Sequence, residues 1–184
     1  MKKYKNIVFD VGDVLLVYRW REMLMDYGLS REEAERIGRE MFDCPEKIWS
    51  KFDLGNESDE QIIEDFEKIY PADKKVIRWF IEHGEYMEVP RPAVWEKVHA
   101  LKQAGYHLYI LSNYPKSLFD KHTEYADFMK DMDGMMVSYM IHKAKPGREI
   151  YAALCEKYTL CPSETMFFDD RAENVQGAID FGMD

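Results

Sequence analysis

Three short apolar runs in this chain end in oxygen-bearing side chains. Ile7-Val8-Phe9 runs into Asp10, Tyr106 to Leu111 runs into Ser112, and Met166-Phe167-Phe168 runs into Asp169 and Asp170. Lys145, followed by Pro146, stands between the second and third. Asp10 and Asp170 offer hard oxygen ligands of the kind Mg²⁺ takes, with Asp169 beside them as a ligand or as a partner behind the ligands. A carboxylate that attacks a phosphoryl group meets like charge, so a divalent metal and a lysine must neutralise the repulsion. The Ser112 hydroxyl can donate to a phosphate oxygen, and the backbone amide of Asn113 adds a second donor where the chain enters a helix. Each residue also has a plainer reading: an Asp at a strand end often caps a turn, and Ser112 suits a helix N-cap.

The elements around these residues put them in one place. Ile7-Val8-Phe9 reads as a buried strand, with Gly12 supplying flexibility for a tight turn beyond it. From about residue 19 to 88 the pattern is helical, with Ser30 as an N-cap, a capping box opening at Ser58-Asp59-Glu60-Gln61, and a turn at Leu54-Gly55-Asn56. After Pro92 the chain alternates: a helix through Trp95 to Gln103, a stop at Gly105, and a strand over 106–111. A helix after Pro115, a short strand over 135–138, a helix over 147–158 and a strand over 166–168 follow. Alternation of this kind predicts a parallel sheet, whose strand carboxyl ends form a crevice where Asp10, Ser112 and Asp169 converge. The expected fold is α/β: a doubly wound, mostly parallel, Rossmann-like sheet with an inserted helical block. Lys145 would project from a rigid position beside Pro146 as first helical residue. Asn174, four residues after Asp170, either orients the acidic cluster or sits exposed on a helix.

The chain has 184 residues, 46% hydrophobic and 33% charged, which suits one α/β core with a small appended module. A formal charge of −10 argues against nucleic acid and against an anionic membrane surface as partners. The start imitates a secretory signal, but Asp10 and Asp13 interrupt its apolar run, and no later stretch is long enough to span a bilayer. These features point to the cytoplasm. Cys44, Cys155 and Cys161 are odd in number and lack C-x-x-C spacing, so they read as buried thiols rather than a disulfide framework or zinc site. A further strand would ordinarily follow the helix that leads to Gly182-Met183-Asp184. The oligomeric state is left open.

In order, Phe9-Asp10-Val11-Gly12-Asp13-Val14-Leu15, Leu111-Ser112-Asn113, Lys145-Pro146 and Phe168-Asp169-Asp170 through Asn174 resemble the four motifs of the haloacid dehalogenase superfamily. The nearer resemblance is to its phosphatase-like branch, which includes the N-terminal domain of soluble epoxide hydrolase and bacterial sugar-1-phosphate phosphatases. That resemblance implies a core over 1–18 and 89–184 with a helical cap over 19–88, and W-S-K-F-D-L-G-N-E at Trp49–Glu57 looks like a cap segment of the branch. Trp20, Trp49 and Phe52 read as cap core rather than substrate contacts. It also implies an Mg²⁺ cofactor held by Asp10, Asp169, Asp170 and the backbone carbonyl of Gly12. Asp10 would be a transiently phosphorylated nucleophile, with Ser112, Asn113 and Lys145 binding the phosphate of a small phosphorylated metabolite, a sugar phosphate among the candidates. Alignment favours Lys145 over its neighbour Lys143, which reads as a solvated charge.

One position departs from the pattern. Many superfamily phosphatases carry a second Asp two residues after the nucleophile as general acid and base, and here that residue is Gly12. Some members of the branch carry Asp-x-Gly and are phosphatases, so Gly12 is compatible with activity while the source of the proton is open, with Asp13 and His142 the first residues to consider. Without an acid there, turnover is expected to depend strongly on the leaving group. Three functional classes follow: an Mg²⁺-dependent phosphatase, a metal-free dehalogenase in which Asp10 attacks carbon, and a non-catalytic phosphate-binding protein. The adjacent acids Asp169 and Asp170 weigh against the second, because without a cation they would repel a third carboxylate.

Overall fold

The computed structural model describes residues 3–184. Its strands are β1 (Asn6–Phe9), β2 (Leu16–Tyr18), β3 (Glu88–Pro90), β4 (His107–Ser112), β5 (Gly134–Val137) and β6 (Thr165–Phe168). Five helices lie between β2 and β3: α1 (Trp20–Asp26), α2 (Arg31–Phe42), α3 (Ile48–Leu54), α4 (Asp59–Ile69) and α5 (Lys74–Glu82). Five more follow: α6 (Pro92–Gln103), α7 (Lys116–Thr123), α8 (Ser138–Ile141), α9 (Arg148–Tyr158) and α10 (Ala172–Phe181).

Four strands form one parallel sheet in the order β5-β4-β1-β6. Side chains alternate across it, as strand geometry requires. Ile7, Phe9, Leu108 and Ile110 join one apolar cluster, while Val8, Tyr109 and Leu111 join another with Ile150, Tyr151 and Leu154 of α9. Helices cover both faces, which is why β1 carries no polar face to solvent. This is the doubly wound α/β arrangement expected from the sequence. The strand order reverses at β1: the chain first builds outward through β4 and β5, then returns to place β6 on the other side. The carboxyl ends of β1, β4 and β6 therefore meet at one edge, with Phe9 level with Ile110 and Phe168.

The chain leaves this edge through β2 and returns through β3, which pair antiparallel as a narrow ribbon. The sequence pattern did not reveal this ribbon, since each strand has three residues and one holds Pro90. Both expected helix starts form full capping boxes, Ser30 with Glu33 and Ser58 with Gln61. Helix α3 ends at Gly55, in the left-handed region at φ 66°. The apolar cluster on one sheet face continues through Leu15, Leu16 and Met23 to Phe52, Phe66 and Phe80 of the helical block. Block and sheet thus share one core. Phe52 is buried and Trp49 packs edge-on against it and Phe42, while Trp20 is half-buried against Phe42; all three pack within the helical block, and Trp20 and Trp49 also reach the cavity beside the sheet edge.

Several local expectations are corrected. The strand expected over 135–138 spans Gly134–Val137, and Ser138 opens α8. Helix α9 begins at Arg148 with Gly147 as its N-cap, so Pro146 lies before the helix. Cys44 and Cys155 are buried, but Cys161 is exposed. No helix among the described residues is long and apolar enough to cross a membrane.

Candidate active site

Asp10 follows β1 directly and is 8% exposed. Its Oδ1 accepts from the Ser112 hydroxyl at 2.5 Å and from the Val11 amide at 2.8 Å, and the Lys145 ammonium stands 3.0 Å away. Ser112 is the last residue of β4, two past Ile110, which is level with Phe9, so the parallel pairing brings it to the same sheet edge as Asp10. The Lys145 side chain is fully buried, and its ammonium also donates to Asp169 Oδ2 at 2.5 Å and to the Leu111 carbonyl at 2.9 Å. Asn113 fixes the lysine backbone from both sides: its amide nitrogen donates to the Lys145 carbonyl at 2.9 Å, and its oxygen accepts the Lys145 amide at 2.8 Å. Lys143 is exposed, as expected of a solvated charge.

Ligand oxygens of Asp10, Asp169 and Asp170 all lie within 4.8 Å of one another. Asp169 is heavily engaged, since its Oδ1 accepts from the Arg171 amide and from the Asn174 side chain, each at 2.9 Å, while Oδ2 takes Lys145. Asn174 is therefore not an exposed helical residue; it is 3% exposed and orients Asp169. Among the described residues Asp10 Oδ2 has no hydrogen-bond partner, and the Asp170 carboxyl is held only by its own backbone amide. Burial pushes the Asp170 carboxyl above its ordinary value, and the charges of Asp10 and Asp169 push the same way. Burial also raises Asp10, with Asp169 adding to it and Lys145 and Ser112 opposing. One lysine leaves this cluster with excess negative charge, a deficit that a divalent cation on hard oxygen donors would fill.

Gly12 is present for a reason the sequence did not suggest. It is Asp13, not Gly12, that takes the left-handed conformation, at φ 53°. A Cβ on residue 12 would lie 2.6 Å from the Tyr18 hydroxyl and 2.7 Å from its Cζ, so the ring occupies the space a side chain there would need. Asp13 is exposed and its Oδ1 caps the Tyr18 amide at 3.1 Å. His142 is exposed and donates from Nδ1 to the Leu54 carbonyl at the end of α3, at 2.8 Å. Neither stands as a free acid over Asp10.

Asp10, Gly12, Ser112, Asn113, Lys145 and Asp170 line a cavity of ≈ 410 Å³ between the sheet edge and the helical block. Its far wall carries Trp20, Phe42 and Trp49 together with Asp53 of α3. Asp53 and Tyr18 are the site residues that sequence reasoning missed. Burial, reinforced by the charge of Asp10 and opposed by Arg171 and Lys145, pushes the Asp53 carboxyl up to about 8.

The sequence model of haloacid dehalogenase-like hydrolases matches residues 4–182. The chain belongs to that family. Among relatives of this hydrolase is the sesquiterpene phosphatase astK of Aspergillus oryzae, 24% identical over 181 residues that cover 98% of this chain and 87% of that one. Its fold is shared with a HAD family enzyme of Bacteroides thetaiotaomicron solved with magnesium and inorganic phosphate, at TM-score 0.75 and 22% identity over 98% of this chain and 91% of that one. It is also shared with the L-2-haloacid dehalogenase of Xanthobacter autotrophicus carrying covalently bound chloropropionic acid, at TM-score 0.71 and 18% identity over 98% and 75% of the two chains.

Proposed function

We propose that this hydrolase is an Mg²⁺-dependent phosphatase that cleaves a small phosphate monoester through an aspartyl-phosphate on Asp10. The observation that carries the reading is the charge arrangement: three clustered carboxylates around a single buried ammonium, open to the cavity through Asp10 and Asp170. A neutral carbon electrophile needs no such cation site, whereas a dianionic phosphate does. The phosphatase among the relatives supports the same choice.

Asp10, Asp170 and the Gly12 carbonyl are the groups that would hold the metal, with Asp169 acting through its hydrogen bonds to Lys145, Arg171 and Asn174. When bound, the ion neutralises phosphate charge as a Lewis acid. Lys145 and the Ser112 hydroxyl hold phosphoryl oxygens on the other side, and the Asn113 clamp keeps Lys145 from following its charge elsewhere. The helical block over residues 19–88 serves as a cap that closes the cavity and excludes water, so a hydroxyl of bulk solvent does not compete with the substrate. The aromatic wall of Trp20, Phe42 and Trp49 faces the part of the substrate beyond its phosphate. That wall accepts a sugar ring or an apolar group of similar size.

The test is phosphate release from a panel of phosphorylated metabolites with Mg²⁺, with and without chelator, using 2-haloacids as the control. Chelator-sensitive phosphate release supports the reading. Halide release, or phosphate release that ignores the chelator, contradicts it.

A further inference from the structure

We propose that Asp53, on the last turn of α3, is the acid that protonates the leaving oxygen and then the base that activates water. This rests on the phosphatase reading and supplies the proton source that Gly12 leaves open.

The argument begins with what cannot serve. Tyr18 fills the space beside Gly12, and its hydroxyl is committed to Tyr114. Tyr114 in turn meets His122 Nδ1 at 2.7 Å, and His122 Nε2 lies 2.8 Å from the Gly84 carbonyl. A carbonyl only accepts, so Nε2 carries the hydrogen and Nδ1 accepts from Tyr114. The chain of donors therefore runs away from the cavity. Burial also places both tyrosine hydroxyls well above their ordinary range, where they are poor acids. Asp13 and His142 are spent on the Tyr18 amide and the Leu54 carbonyl.

Asp53 differs from all of these. It lines the same cavity as Asp10, it is half-buried, and among the described residues its carboxyl has no hydrogen-bond or ion-pair partner. Its backbone, by contrast, is fastened to the core. The buried Ser138 hydroxyl donates to the Asp53 carbonyl and accepts the Tyr114 amide at 2.9 Å. His142 binds the next carbonyl, that of Leu54. Gly55 follows, so close to Tyr139 that an added Cβ would stand 2.7 Å from the Tyr139 Cβ. Three consecutive residues of the helical block are thus docked on the segment after β5, which holds the unpaired carboxyl in the wall of the cavity that Asp10 also lines. A carboxyl pushed up to about 8 carries its proton at neutral pH and can return to the carboxylate within one cycle.

The two steps balance. As Asp10 attacks phosphorus, the bond from phosphorus to the ester oxygen breaks and that oxygen takes the Asp53 proton, leaving as an alcohol. Water then attacks the phosphoaspartate and gives a proton to the Asp53 carboxylate. The Asp10–phosphorus bond breaks, and inorganic phosphate, the Asp10 carboxylate and the Asp53 carboxylic acid result.

The experiment compares kcat/KM of the full chain and its Asp53→Asn variant, with Mg²⁺, on p-nitrophenyl phosphate and on a primary alkyl phosphate. A nitrophenolate leaves without a proton, whereas an alkoxide needs one. The proposal expects a loss of roughly 10²–10⁴-fold on the alkyl ester, with a loss below about tenfold on the aryl ester. Both substrates are assayed on one preparation, so partial misfolding lowers both rates equally and leaves their ratio unchanged. Equal losses on the two esters, or no loss on either, overturn the role of Asp53 while leaving the phosphatase intact. Absence of phosphate release by the unaltered protein from both esters overturns the phosphatase reading itself.

Discussion

Replacing Lys145 by Met tests whether the ion cluster is assembled as described. The lysine side chain has no exposed surface, and its ammonium contacts Asp10 at 3.0 Å, Asp169 at 2.5 Å and the Leu111 carbonyl at 2.9 Å. Methionine fills similar volume but leaves two buried carboxylates facing each other without a cation. Removing one partner of a buried pair costs about 3–5 kcal/mol. With a urea m-value of roughly 2 kcal/mol/M, the midpoint should fall by about 2 M at pH 7 in the presence of chelator. The loss has a pH signature. Burial already raises the Asp10 carboxyl and Lys145 opposes that rise, so without the lysine it rises further; the penalty is full while Asp10 is ionised and is relieved as falling pH protonates it. The gap between wild type and Lys145→Met should therefore narrow from pH 7 to pH 5. Adding Asp169→Asn should recover part of the loss, since it removes one of the two repelling charges. A loss below about 1 kcal/mol at neutral pH, or a gap that does not move with pH, would refute the reasoning.

Two further outcomes follow from the same contacts. Gly12→Asp should lower stability by about 1–3 kcal/mol through overpacking against Tyr18, and that cost should shrink in a Tyr18→Ala background; an unchanged thermal midpoint would show that the ring yields freely. His122 is buried between Tyr114 and Gly84, and burial holds its pKa below the ordinary value. The unfolded chain then binds a proton near pH 6.5 that the folded chain does not, so stability falls as the pH drops through that value, by at most about 1.4 kcal/mol per pH unit. His122→Gln keeps polar atoms without titrating, and unfolding curves at pH 7.5 and pH 5.5 should show a smaller decline than in wild type.

The residues legible in the sequence were those whose place depends on strand register. Asp10, Ser112 and Asp169 each end a run of apolar residues, and parallel strands that start level deliver their last residues to one edge. The capping boxes at Ser30 and Ser58 were legible for a similar reason, because both partners lie within one turn. What could not be read depends on contacts between distant segments. Asn174 looks like any polar residue of a first helical turn until the loop from Asp169 brings its amide onto that carboxylate. The reason for Gly12 lies in the Tyr18 ring, placed by a three-residue ribbon too short to leave a periodic signal. Asp53 lies inside the Trp49–Glu57 segment that resembles a cap segment, but nothing local marks its carboxyl; the docking of Ser138, Tyr139 and His142 on α3 fixes its backbone at the cavity wall.

The central claim, that Asp10 is the nucleophile, is tested most directly by acid-quenching the enzyme during turnover of a phosphate ester with Mg²⁺ and mapping the phosphoryl group by peptide mass spectrometry. The account predicts a single acid-trapped, hydroxylamine-labile phosphoryl group on the peptide containing Asp10, absent from Asp10→Asn, which should fold normally and release no phosphate. Phosphate release by Asp10→Asn at the wild-type rate, or a phosphoryl group trapped on another residue, would contradict it.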